Sequence, residues 1–143
     1  MSRVSTYLNF AGCTEEAFSC YATVFGTEPG PITRMGDMPA PPGAPELPES
    51  ERKAVMHVEL PILAGHVLMG TDALESMGQA IRIGNNITIN LELDTAAEAT
   101  GLYEALADGG SDSTGIQAMP WGHWGCTMDR FGIRWMFNAP TGS

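Results

Sequence analysis

NITINLELDTAAEATGLYEALADGG, residues 86–110, carries the strand-to-helix pattern on which the fold turns. Ile87, Ile89, Leu91 and Leu93 alternate with Thr88, Asn90 and Glu92, the period-two signature of a strand with one apolar face. Thr95-Ala-Ala-Glu98 follows as a capping box, and Ala99, Leu102, Tyr103 and Leu106 then fall at helical spacing. Gly109-Gly110 stop that helix.

Toward the N-terminus, YLNFAGCTEEAFSCYATVFG, residues 7–26, repeats this organisation with different residues. Val4, Thr6, Leu8 and Phe10 alternate with Ser5, Tyr7 and Asn9. Thr14 reads as an N-cap, with Glu15 and Glu16 in the first turn, where the helix dipole favours acids. Ala17, Phe18, Tyr21, Val24 and Phe25 form the apolar stripe, and Gly26 closes the helix. The two caps, Thr14 and Thr95, lie 81 positions apart.

Three strands are expected after each helix. In the first half they are Ile32–Met35, Ala54–Leu60 and His66–Thr71, the last two joined by a tight turn at Ala64-Gly65. Val55, His57 and Glu59 are expected on one face of the middle strand, opposite Met56, Val58 and Leu60. In the second half they are Ile116–Met119, Trp124–Met128 and Ile133–Asn138, with a turn at Asp129–Gly132. The proline-rich run 36–53 reads as a surface loop. The fold class is therefore α+β: two βαβββ modules, about 3–72 and 86–139, forming incomplete barrels with the helices outside. Each half is too short to bury a full core alone, so a single domain over 1–143 is expected.

With 17 acidic against 7 basic residues, nucleic acid and anionic membrane surfaces are poor partners, because both need a basic face. No apolar run approaches the roughly 18 residues of a membrane span, and the first residues lack a signal-peptide core. A cytoplasmic location is expected. Cys13, Cys20 and Cys126 are odd in number, widely spaced and without a CxxC pair, so neither a disulfide framework nor a structural zinc site is expected. Cys20 reads as a small core residue of the first helix.

Three stretches resemble the PhnB-like branch of the vicinal oxygen chelate superfamily, which includes glyoxalases, bleomycin-resistance proteins and extradiol dioxygenases. The first is residues 7–26, quoted above. The second is AGHVLMGTD, residues 64–72, similar to that branch's hairpin motif. The third is MPWGHWGCTMDRFGIRWMFN, residues 119–138, similar to its closing signature through Trp121, Gly125, Asp129, Phe131, Gly132, Trp135 and Asn138. The resemblance implies paired modules whose sheets bend around a cavity. It also implies a homodimer, which open sheet edges would favour independently.

The catalytic branches hold a divalent metal through His and Glu on the first and last strands of the modules. The corresponding positions here are Ser5 or Tyr7, Met69–Thr71, Thr88, and Trp135 or Met136, none of them a good ligand. No cofactor is therefore expected. The alternative is a divalent metal at a non-standard site built from His57, Glu59 and Glu92. Tyr7, Asn9, His57, Glu59, Met69, Thr88, Asn90, Trp121, His123, Trp124 and Trp135 are the candidate ligand-binding residues. His123 between tryptophans has the chemistry of a general base, and equally that of a structural residue at a cavity mouth. His66, beside the turn, is expected to be exposed. Arg134 is a candidate for a ligand carboxylate or an ion pair.

The expected function is binding of a small molecule in a sheet-lined cavity without the usual metal. A metal-dependent lyase, isomerase or dioxygenase with displaced ligands is the alternative, and a purely structural protein is the third reading. Enzymatic activity stays open. Methyl transfer is not expected, because the sequence has no nucleotide-cofactor motif.

Overall fold

The computed structural model describes residues 1–142. The chain divides into two compact units, 1–81 and 82–143, each built around one four-stranded mixed sheet that does not close into a barrel.

The first unit runs β1 (Thr6–Phe10), α1 (Thr14–Phe25), β2 (Thr33–Arg34), α2 (Glu49–Arg52), β3 (Val55–Pro61) and β4 (Val67–Asp72). Its strand order is β1-β4-β3-β2, with β1 and β4 parallel and the other pairs antiparallel. Leu8, Phe10, Val58, Leu60 and Leu68 are buried together with Ala17, Phe18 and Tyr21 of α1. Close approach of helix and sheet is made possible by Gly70, where a Cβ would stand 2.4 Å from Phe18 Cε1. The proline-rich run is mostly irregular, and the one-turn α2 lies within it.

Thr14 does not act as the N-cap; Cys13 occupies that position. Thr14 instead donates through its backbone N–H (3.1 Å) and its hydroxyl (2.6 Å) to Asp72 Oδ1. Asp72 Oδ2 accepts the Val55 N–H at 2.9 Å. One buried carboxylate thus satisfies the start of α1 and the start of β3 from the end of β4, an arrangement that offsets the cost of burying it.

Val55 also departs from expectation. Thr33 pairs with His57 and Arg34 with Val55, so Met56 is an extra residue in β3, a β-bulge. The bulge shifts the alternation by one position and puts Val55 in the core (1 % exposed), leaving His57 and Glu59 on the opposite face. His66 is half-buried rather than exposed, with Nε2 2.8 Å from the Thr6 hydroxyl. Cys20 is likewise half-buried and not a full core residue.

The second unit runs β5 (Ile89–Glu92), α3 (Ala96–Ala107), β6 (Gln117–Met119), β7 (Gly122–Met128) and β8 (Arg134–Pro140). Its order is β5-β8-β7-β6, again with the first and last strands parallel. Here the N-cap residue is as expected, and the Thr95 half of the capping box is formed: the Thr95 hydroxyl accepts the Glu98 N–H at 3.1 Å. Leu91, Leu93, Trp135, Phe137 and Ala139 are buried with Ala99 and Leu106 of α3. The Tyr103 ring meets Phe137 edge-on, and its hydroxyl accepts the Gly115 N–H. Ile87, expected on the apolar face, is 79 % exposed because β5 begins only at Ile89.

Candidate functional site

In each unit the helix covers one sheet face, and most of the residues of interest stand on the other. In the first unit the uncovered face is set by register: Tyr7 pairs with Met69, and Met69 with Glu59. Asn9 pairs with Thr71 one step along. His57 stands two residues before Glu59 on the same face of β3. Its Nε2 is 3.0 Å from Glu59 Oε2, and its Nδ1 is 3.2 Å from the Tyr7 hydroxyl. Arg3 approaches Glu59 from the other side, at 3.8 Å.

A carboxylate can only accept, so neutral His57 carries its proton on Nε2 and its Nδ1 accepts from Tyr7. Carboxylate, imidazole and phenol thereby form a chain able to pass a proton to a molecule at Tyr7, which is 47 % exposed. Asn9 stands exposed beside it, and Met69 is half-buried and receives the Ser5 hydroxyl at 3.7 Å.

In the second unit, three rows cross β5, β8 and β7. Thr88, just before β5, contacts Arg134, which pairs with Met128. Asn90 pairs with Met136, and Met136 with Cys126. Glu92 pairs with Asn138, and Asn138 with Trp124. The Arg134 Nε donates to Thr88 Oγ1 at 3.2 Å, and its Nη2 to Cys126 Sγ at 3.0 Å. The Asn138 amide donates to Asn90 Oδ1 at 2.7 Å.

The closing cluster is not one group. Adjacent strand residues point to opposite faces, so His123 is turned away from Trp124. The buried His123 Nδ1 has no hydrogen-bond partner among the described residues. Trp121 is 62 % exposed at the β6–β7 turn. Trp135 is fully buried on the helix-covered face, its Nε1 donating to Asp129 Oδ2 at 2.8 Å, and so stands apart from the candidates on the uncovered face. Asp129 Oδ1 accepts the Phe131 and Ile133 N–H groups, so this carboxylate builds the β7–β8 turn.

Sequence reading missed Asp72 and Asp129 as buried organisers. The signal was present for Asp72: Leu68, Gly70 and Asp72 share one strand face, and a carboxylate in an apolar register needs fixed donors.

The fold-family metal positions do not suit a divalent cation. The Thr88 hydroxyl accepts from a guanidinium, Trp135 faces the core, and the Met136 thioether is a soft donor. Among the described residues, no three His, Cys, Asp or Glu side chains converge as metal ligands. No helix among them is long and apolar enough to cross a membrane.

Two βαβββ units with parallel outer-to-centre strand pairs define the glyoxalase/bleomycin-resistance/dioxygenase fold, that of the vicinal oxygen chelate superfamily. The crystal structure of protein PA1353 from Pseudomonas aeruginosa is similar, with 30% identity, 98% of each chain covered and a TM-score of 0.82. The PhnB protein from Bacillus cereus shares 20% identity over 96% of this chain and 99% of its own, with a TM-score of 0.75. Residues 2–137 match the family described as 3-demethylubiquinone-9 3-methyltransferase, and the chain belongs to that PhnB-like family. Protein YjdN of Escherichia coli (strain K12) is 30% identical over 95% of this chain and 94% of its own.

Proposed function

We propose that the protein binds a small molecule against its uncovered sheet faces and does so without the metal of the catalytic branches. The observation that supports this reading most is the side-chain order on those faces. Tyr7–His57–Glu59 and Thr88–Arg134–Cys126 are fixed by hydrogen bonds beside Met69 and Met136, a mixture of preorganised polar groups and adaptable apolar ones. A thermal-shift screen of small organic molecules on chelator-dialysed protein, followed by NMR mapping, tests it. Stabilising molecules should perturb Tyr7, Asn9, His57, Met69, Thr88, Asn90 or Trp124. Shifts confined to the proline-rich loop, or stabilisation only after metal is restored, overturn it.

A second reading, metal-dependent lyase, isomerase or dioxygenase chemistry with displaced ligands, is favoured by the 3.0 Å approach of His57 Nε2 to Glu59. Stoichiometric metal by elemental analysis, lost in His57→Ala, would establish it. The methyl transfer named in the family description is not part of this proposal. We also propose a cytoplasmic homodimer. Within their own sheets β1 and β5 each have a single neighbour, and a second copy would cover such edges. Sedimentation at micromolar concentration showing only monomer would contradict it.

A further inference from the structure

Arg134 stands out among the arginines. The chain has 17 acidic residues to its 7 lysines and arginines, so an arginine on a sheet face has acids in excess to choose from. Arg34 takes Glu15 at 3.0 Å and Arg3 approaches Glu59 at 3.8 Å. Arg130 is exposed, its guanidinium 4.6 Å from the centre of the Phe131 ring. Half-buried Arg134 has no carboxylate in ion-pair range among the described residues, and its two hydrogen bonds go to Thr88 Oγ1 and Cys126 Sγ.

A guanidinium has five N–H donors. Nε and one Nη2 hydrogen are spent on orientation, which leaves both hydrogens of Nη1 and one of Nη2 for a further acceptor. Partly desolvating a cation without a counter-ion is unfavourable, and an oxyanion from outside the chain would offset that cost. The Thr88 hydroxyl, already accepting from Nε, keeps its own hydrogen to donate to the same oxyanion.

The rest of the face limits what is attached to that oxyanion. Met136 follows Arg134 on the same strand face, with Asn90 beside it, and Asn138 with Trp124 at the far end. At about 3.3 Å per residue, Arg134 to Asn138 spans about 13 Å, the length of a two-ring molecule with one substituent. A thioether and an indole offer flat, polarisable contact, and the Asn90–Asn138 pair keeps amide groups free for a polar substituent.

We propose that the β5–β8–β7 face binds a small organic anion with a planar body, its carboxylate or phosphonate held by Arg134 and Thr88 and its rings lying over Met136 toward Trp124. This rests on the small-molecule reading above and names the ligand class for one of the two faces.

The test titrates full-length protein with a panel of aryl and naphthyl carboxylates, the matching phosphonates and the matching neutral carboxamides, read by side-chain NMR of Trp124 and Met136. Anions should bind at least tenfold more tightly than carboxamides, and this preference should fall with added salt. Arg134→Gln should abolish the preference, Arg134→Lys should retain part of it, and Trp124→Ala should weaken anions and carboxamides alike. The carboxylate and phosphonate arms distinguish the two oxyanions. The salt response and anion preference of the unmutated protein decide the matter even if Arg134→Gln fails to fold. Equal binding of anions and carboxamides on this face overturns the anion assignment and leaves the broader reading standing. No response at Trp124 or Met136 to any anion overturns this assignment, and the broader reading then rests on the Tyr7–His57–Glu59 face alone.

Discussion

The Asp72 carboxylate accepts the Thr14 hydroxyl at 2.6 Å across 58 positions of sequence, joining the end of β4 to the first turn of α1. Asp72→Asn keeps an acceptor for Thr14 but turns a second donor toward the Val55 N–H. Leaving that buried pair unsatisfied should destabilise the protein by about 1–3 kcal/mol. Urea denaturation should show a lower midpoint at an unchanged slope.

The Thr14–Asp72 contact also marks how far the sequence could be read. Strand alternation and helix stripes are local, and they placed α1, α3, the hairpin at Ala64-Gly65 and the polar face of Tyr7 and Asn9. The bulge at Met56 was hidden because the apolar pattern of Val55–Leu60 reads equally well without an inserted residue. Which face Trp135 and His123 take was not legible, because a tryptophan or histidine suits either face of a strand; for Trp135 the choice goes with its partner Asp129. That Arg134 would go without an acid was likewise invisible, since pairing depends on which carboxylates the fold brings near.

Gly70→Ala places a methyl group against the Phe18 ring, 2.4 Å from Cε1, in a helix–sheet contact with no slack. Forcing apart such packing costs about 1–3 kcal/mol. Thermal unfolding should shift downward, while Gly101→Ala, on exposed α3 surface with open space around its Cβ, should be neutral or stabilising.

Arg34 donates to both oxygens of Glu15, each at 3.0 Å, and those hydrogen bonds hold the Glu15 carboxyl below its ordinary value of 4.5. A folded-state value lower than the unfolded one means the stabilisation is complete above the unfolded value. It is lost as pH falls through the folded one. The stability gap between the native protein and Glu15→Gln should therefore be constant at neutral pH and close below pH 4.5. Both groups are solvent-accessible, so the gap should also narrow at about 1 M salt, where the screening length is about 3 Å. Chemical denaturation at several pH values and salt concentrations checks both effects.

His57 should be held in one neutral tautomer by Glu59. Nitrogen-resolved NMR should find the proton on Nε2 in the native protein and a more even distribution in Glu59→Ala. A hydrogen bond to a charged group, worth about 1.5 kcal/mol or more, corresponds to a change of at least about tenfold in the tautomer ratio. Tyr7→Phe removes the donor at Nδ1 and should move the ratio less, because its hydrogen bond is the longer of the two and joins neutral groups.

The parallel pairing of first and last strands carries a consequence for how the chain is made. Thr6 lies beside Leu68, and Ile89 beside Trp135, so β1 and β5 wait on the ribosome without a sheet neighbour until their module is almost complete. β8, emerging last in its module, fills the middle of a sheet between β5 and β7. A nascent chain halted before Arg134 would carry β5 with no sheet neighbour and the β6–β7 hairpin with one edge of β7 uncovered, the gap between them being the place of β8.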